Sequence, residues 1–262
     1  MTDLWKRLTT RATALATARP ESAALLGFYA QLLSAQAEIH SRLTGSRDPT
    51  PTGVLSADVE MLRSSLPTLL EVVAANGPPE LAEEARRLST ASQHDTDGLL
   101  TEYWHSPSDV QFFAKALFQP YFRALVEAGK RPANRKLEAS ENRCPFCCGK
   151  PQVAYLAAQE PASESGNRLL VCASCFTAWP FRRMRCPKCG EEQPARLAYF
   201  HTAEFDYIRV DACDTCRSYL KCIDLTRFGL AVPLVDEVAA AALDIWAVEH
   251  FYSKIELNLL GL

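Results

Sequence analysis

Ten cysteines lie between Cys144 and Cys222, and none precedes Cys144 in a chain of 262 residues. Eight of them form four Cys-x-x-Cys pairs: Cys144/Cys147, Cys172/Cys175, Cys186/Cys189 and Cys213/Cys216. One such turn places two thiolates on one metal ion, and two turns complete a tetrahedral four-sulfur site. Four pairs therefore predict two sites. Four thiolates suit Zn2+ and rubredoxin-type iron alike, so the spacing does not choose the metal. A site with all four positions filled by sulfur leaves no open coordination for a substrate, so the expected role is structural. A disulfide framework belongs to short secreted chains. A redox dithiol does not account for four pairs in register.

The cysteine half is an internal duplication. Cys144-Pro145-Phe146-Cys147 matches Cys186-Pro187-Lys188-Cys189, and Cys172-x-x-Cys175 matches Cys213-x-x-Cys216, each about 40 residues on. A unit of that size holds little core, and a structural metal is the usual remedy. The stretches Val153–Leu156, Arg168–Val171, Ala195–Phe200 and Tyr207–Val210 read as strands. In each unit a strand out, a turn and a strand back would carry the second pair to the first. That grouping gives Cys144/Cys147/Cys172/Cys175 and Cys186/Cys189/Cys213/Cys216. An interleaved grouping of Cys172/Cys175 with Cys186/Cys189 stays open at this level. Cys148 reads as a bystander or an alternative ligand, and Cys222 as a small apolar strand residue. His201 reads as an exposed loop residue.

The elements before the cysteines are helical. Apolar residues follow a helical stripe over Ala24–Leu43 and again over Ser56–Ala75, with Pro67 as a kink site. A loop spans Asp48 to Gly53, and a shorter helix covers Glu80–Ser92. Ser106-Pro107-Ser108-Asp109 reads as a helix start with a capping box. Its helix would bury Val110, Phe113, Ala114, Leu117, Phe118, Tyr121 and Leu125, pass Pro120, and stop at Gly129. His40, His94 and His105 read as surface or structural residues. A final helix over Val235–Tyr252 would bury Val238, Ala241, Ala242, Ile245, Trp246 and Tyr252. The expected architecture is α+β: an N-terminal α-helical bundle, two tandem rubredoxin-like or zinc-ribbon modules, and a C-terminal helix. The expected boundaries are 1–130 for the helical domain, 131–143 for a basic linker holding Arg131, Arg135 and Lys136, 144–184 and 185–225 for the modules, and 226–262 for the closing helix and tail.

The net charge is −3. Eight thiolates would add about −8 and two divalent ions about +4, so the loaded chain is acidic, which argues against a general nucleic-acid binder. No apolar run reaches the roughly 18 residues of a membrane-spanning helix. The first residues have scattered charges and do not read as a secretory signal. The expected compartment is the reducing cytoplasm. No Gly-rich phosphate loop, paired-histidine metal helix or nucleophile–histidine arrangement stands out, so an enzyme is not expected. Trp179 beside Arg182, Arg183 and Arg185 combines an aromatic with arginines, a composition favoured at interface cores.

Taken in order, the helical half, Cys144-Pro145-Phe146-Cys147, Cys172-Ala173-Ser174-Cys175, Arg185-Cys186-Pro187-Lys188-Cys189-Gly190, Cys213-Asp214-Thr215-Cys216 and the closing stretch from Asp236 to Ala247 resemble the formate dehydrogenase accessory protein family, FdhE. That family usually has glycine directly after its first Cys-Pro-x-Cys, where this chain has Cys148. The resemblance implies a cytoplasmic, non-enzymatic assembly factor. It would bind the catalytic subunit of a formate dehydrogenase and be needed for its maturation, with two metal ions, zinc or iron, held by the eight paired cysteines. The alternatives are a zinc-ribbon protein that binds nucleic acid through Arg182 to Lys188, and a rubredoxin-like electron carrier.

Overall fold

The computed structural model describes residues 3–45, 50–133, 139–157 and 168–262. The chain divides into two units, Met1–Glu138 and Ala139–Leu262. Arg135, Lys136, Asp48 and Pro49 lie outside the described residues.

Six α-helices build the first unit among the described residues: α1 (Asp3–Ala18), α2 (Ala23–Thr44), α3 (Leu55–Asn76), α4 (Pro79–Ser89), α5 (Gln93–His105) and α6 (Phe112–Glu127). A helix that is apolar on every side belongs at the centre of a bundle. That helix is α6, in which every residue from Phe113 to Phe122 is buried. Phe118 is its aromatic hub, with ring centroids 5.4 Å from Tyr103, 5.7 Å from Trp104 and 5.3 Å from Phe122. Pro67 lies within α3 and Pro120 within α6. His40 is buried, its ring 5.7 Å from that of Trp5 and its Nε2 3.1 Å from a Glu127 carboxylate oxygen. Burial holds its pKa below the ordinary histidine value despite that carboxylate.

Asp58, 1% exposed, ties the entry loop of α3 to α6. Its Oδ2 accepts from the Thr52 and Gly53 amides at 2.8 and 2.9 Å and from the Tyr121 hydroxyl at 2.6 Å. Its Oδ1 accepts from the Thr52 hydroxyl at 2.9 Å. Removing a buried acceptor strands its donors at about 1–3 kcal/mol. Asp58→Ala is expected to lower stability by roughly 3 kcal/mol in urea unfolding; a change under about 0.5 kcal/mol would contradict this account.

The helix start expected at Ser106 lies elsewhere. Ser106 closes α5, its amide donating to Glu102 O at 2.8 Å, and α6 begins at Phe112. Val110 precedes the helix and is 87% exposed. The Ser-x-x-Asp cap belongs to Ser92 and Asp95, where the Ser92 hydroxyl accepts from the Asp95 amide at 3.2 Å and donates to its carboxylate at 2.7 Å. Asp109 instead meets the ammonium of Lys115, which is 2% exposed and needs a counter-charge.

Among the described residues, the second unit is a seven-stranded sheet with helices. Its strands are β1 (Pro151–Leu156), β2 (Arg168–Cys172), β3 (Ala178–Pro180), β4 (Leu197–His201), β5 (Ile208–Cys213), β6 (Ser218–Asp224) and β7 (Ser253–Lys254). The spatial order is β3-β2-β1-β6-β5-β4, with β7 also beside β6. Each module contributes three antiparallel strands in the same sequence, and the modules join where β1 lies parallel to β6. The second module therefore repeats the first by displacement along the sheet. Cys222 sits in this seam opposite Ala154. Burial pushes its thiol up to about 12, so it stays a neutral packing residue.

The single closing helix is two: α7 (Pro233–Ala239) and α8 (Ala241–Glu249), separated at Ala240 with φ −95° and ψ 42°. The break turns a different face inward. Ile245 is 59% exposed and Ala242 is exposed, whereas Val235, Glu237, Val238, Leu243 and Asp244 are buried. The carboxylates go inside because lysines meet them there. Lys221 on β6 pairs with Asp244 and lies 3.1 Å from Glu237 Oε2. Lys254 on β7 donates to Glu237 Oε2 at 2.7 Å. Glu237 Oε1 accepts from Gln152 on β1 at 2.8 Å and from Asn258 at 3.0 Å. Tyr219 donates to Asp244 Oδ1 at 2.7 Å. This network ties both modules to both helices.

Candidate metal centres

The eight paired sulfurs gather into two groups, Cys144/Cys147/Cys172/Cys175 and Cys186/Cys189/Cys213/Cys216, each with all four sulfurs within 4.8 Å of one another. The interleaved grouping is not formed. The strands explain why: β1 and β2 run antiparallel with Pro151 opposite Cys172, and β4 and β5 with Leu197 opposite Cys213. Each hairpin thus returns the second pair of its own module to the first.

Sulfurs bound to a central zinc at about 2.3 Å stand about 3.8 Å apart in a tetrahedron. In the first group the Sγ atoms of Cys144 and Cys175 are 3.5 Å apart and those of Cys147 and Cys172 are 3.4 Å apart. In the second, Cys186 and Cys216 are separated by 3.6 Å and Cys189 and Cys213 by 3.7 Å. Backbone amides point at the sulfurs: Phe146 N lies 3.4 Å from Cys144 Sγ, Ser174 N 3.3 Å from Cys172 Sγ, and Lys188 N 3.4 Å from Cys186 Sγ. These donors favour the thiolate.

Charge completes the test of fit. Hydrogen bonds from Cys147, Cys172 and Cys175 pull the Cys144 thiol far down. The hydrogen bond with Cys144, helped by Cys175 and by burial, pushes Cys147 up, and burial pushes Cys172 up. Burial likewise raises Cys186. The raised values of Cys147 and Cys172 disfavour their thiolates; a bound cation reverses that preference, because a coordinating thiol is deprotonated outright. Donor type, spacing and amide orientation all fit a four-thiolate ion, and each group could hold one.

One local rule shapes all four turns. The residue after each Cys-x-x-Cys is left-handed: Cys148 at φ 60°, Phe176 at 59°, Gly190 at 79° and Arg217 at 51°. Three of these turns close with an amide bond back to the first cysteine's carbonyl, from Cys148 at 2.9 Å, Phe176 at 3.2 Å and Gly190 at 3.0 Å. Cys148 thus occupies the position Gly190 holds in the second module, and its sulfur belongs to neither group. A non-glycine residue there costs about 1–2 kcal/mol. Cys148→Gly should leave metal content unchanged and keep stability equal or raise it by about 1 kcal/mol; loss of an ion would show that Cys148 is a ligand. The next residue, Gly149, must stay small, since a Cβ there would lie 2.8 Å from Cys172 Sγ.

The residues expected at a partner surface separate. Trp179 on β3 is buried at 6% exposure, while Arg182 and Arg183 are exposed. Arg182 pairs with Glu192 at 3.3 Å and Arg185 with Glu141 at 2.6 Å. Sequence reasoning missed Thr177, whose hydroxyl lies 3.2 Å from Cys175 Sγ; its place two residues after a Cys-x-x-Cys was the available signal. Among the described residues no helix is long and apolar enough to cross a membrane.

Residues 184–260 match the family described as FdhE, C-terminal domain. A protein FdhE homolog of Aquifex aeolicus is 33% identical over 196 residues, covering 74% of this chain and 68% of that protein. The Pasteurella multocida homolog is 26% identical over 201 residues, 73% of this chain but 63% of its own length. The Proteus mirabilis homolog is 27% identical over 275 residues, 98% of this chain and 87% of that one. The crystal structure of the FdhE protein from Pseudomonas aeruginosa superposes with a TM-score of 0.70 at 23% identity, covering 98% of this chain and 95% of that one, and so shares the fold. The turns, the modules and these relatives converge on one assignment: the chain belongs to the FdhE family.

Proposed function

We propose that this chain is a cytoplasmic accessory protein that binds the catalytic subunit of a formate dehydrogenase and is needed for that subunit to become active. The observation that carries the reading is the pair of closed four-sulfur groups in a chain of this family. Cys144, Cys147, Cys172 and Cys175 would hold one ion, zinc or iron, and Cys186, Cys189, Cys213 and Cys216 the other. With four sulfurs already in place, neither group offers an open position, so the ions would brace the fold and the chain would not be an enzyme. Each bound ion would supply the positive charge that lets its thiolates lie side by side.

Binding would then come from a protein surface. Arg182 and Arg183 stand exposed a few residues before Cys186 of the second group, and Met184 beside them is 53% exposed. Charge at an interface rim governs encounter and its salt dependence. The test is deletion of the gene combined with binding of the purified apo-subunit. The expected results are loss of formate dehydrogenase activity, restoration by the wild type, and at least about tenfold weaker binding for Arg182→Glu/Arg183→Glu with unchanged metal content. Full dehydrogenase activity in the deletion strain together with no binding of the subunit would overturn the reading.

A further inference from the structure

The two sulfur groups share one turn geometry, yet their surroundings differ at three places. In the first group all four cysteines are buried, at 1%, 3%, 0% and 0% exposure in chain order. In the second, Cys186 and Cys213 are buried, Cys189 is exposed and Cys216 is half-buried.

The second difference is a hydroxyl. Thr177 and Ser218 hold the same position, two residues after the second pair of each module. The Thr177 hydroxyl meets Cys175 Sγ at 3.2 Å. The Ser218 hydroxyl faces away from sulfur: it donates to Cys216 O at 3.3 Å and accepts from Lys188 Nζ at 2.7 Å. The third is packing behind the first turn. Gly149 lies so close that an added Cβ would come within 2.8 Å of Cys172 Sγ and 3.3 Å of Cys147 Sγ, whereas one added at Gly190 would meet only the Arg185 guanidinium at 3.5 Å.

From these we infer that the two centres are unequal: the first is a sealed brace, and the second is an exchange site whose ion small thiophilic chelators and thiols reach through Cys189. Ligand exchange at a closed four-thiolate ion needs one sulfur to leave as an outside donor arrives. Cys189 is the exposed residue of the second group, and the space behind its turn at Gly190 is open where that behind Cys147 at Gly149 is filled by sulfur. It leaves as a thiolate while the chelator's donor takes its place, and it then takes a proton from water. No electron changes hands. The same departure at the first group would carry a sulfur through packed protein, which requires local opening first.

The inference rests on the two-ion reading, and the experiment separates the two. Protein loaded with zinc under reducing conditions is first assayed for total metal, then mixed with the chelating dye 4-(2-pyridylazo)resorcinol. Two equivalents are expected, one released at least about tenfold faster than the other, as exposure against local opening requires. Parallel alkylation with N-ethylmaleimide, read by mass spectrometry, should place the label that accompanies the fast equivalent on Cys189, with Cys148 labelled without metal loss. Cys189→Ser should lose the fast equivalent and keep the slow one. Two equivalents leaving in a single phase, or a fast phase that labels Cys144, Cys147, Cys172 or Cys175, would overturn the inequality and leave the metal reading intact. Fewer than two equivalents in the loaded wild type would overturn the two-ion reading itself.

Discussion

Stripping both ions from the reduced protein should unfold residues 139–262 while residues 3–133 keep their helices. Structural zinc contributes about 10–16 kcal/mol in small metal-folded peptides at neutral pH. An ordinary domain is stable by about 5–15 kcal/mol in total. Losing even one such ion therefore removes as much as the unit has. The geometry shows where the loss would fall. The sulfurs join each hairpin's outgoing and returning ends, and without a cation nothing bonds those ends together through them. Limited proteolysis after chelation should cut throughout the cysteine unit and leave a resistant fragment of the helical one. Cys172→Ala should do the same in part, because its site is the sealed one. A second unit that resists protease with no metal bound would show that the strands and helices fold without the sulfur sites.

Replacing Glu237 with alanine should cost about 3–5 kcal/mol, the usual penalty for leaving a buried charge without its partner. Glu237 is fully buried, and its carboxylate answers Lys221, Lys254, Gln152 and Asn258 together. Alanine there leaves two buried ammonium groups with one carboxylate, Asp244, between them, besides backbone carbonyls. Acid gives an independent check. Burial works to raise the Glu237 pKa, but the charges of Lys254 and Lys221 and the hydrogen bonds outweigh it and hold the group at about 2, against an ordinary 4.5. The folded-state value is depressed, so the contribution is whole above pH 4.5 and is lost as pH falls toward about 2. Glu237→Gln has no such contribution to lose. The stability gap between wild type and Glu237→Gln should therefore be widest near neutrality and narrow steadily below pH 4.5. A gap that stays constant across that range would rule out the ion pairs as its source.

The cysteine sites were legible because their signal is local. Spacing sets the turn, duplication pairs the turns, and the hairpin between them has one simple way to close. Even the left-handed residue after each pair falls at a fixed offset. The buried lysines and carboxylates were not legible, since a helical reading assigns Glu237 and Asp244 to solvent by residue type. Only Lys221 and Lys254, brought in by strands far apart in sequence, reverse that assignment. They also explain why the final helix turned a different face inward. The misplaced start at Ser106 has a different cause. Ser-x-x-Asp occurs twice, at Ser92 and Ser106, and composition alone does not say which serine opens a helix and which ends one. The α5 helix between them buries Thr96, Leu100, Tyr103 and Trp104 at helical spacing, a short stripe that opens on a polar residue. Its aromatic end packs on Phe118 of α6, a partner distant from it in sequence.

The parallel seam between β1 and β6 has no built-in limit. A third module could be appended at β4 by the same displacement, and so could the leading strand of another molecule, giving a fibre rather than a closed assembly. What another molecule would offer is β3, which is three residues long and ends in Pro180, a residue with no amide to donate. Pro180 thereby blunts the one edge through which a second molecule would continue the ribbon.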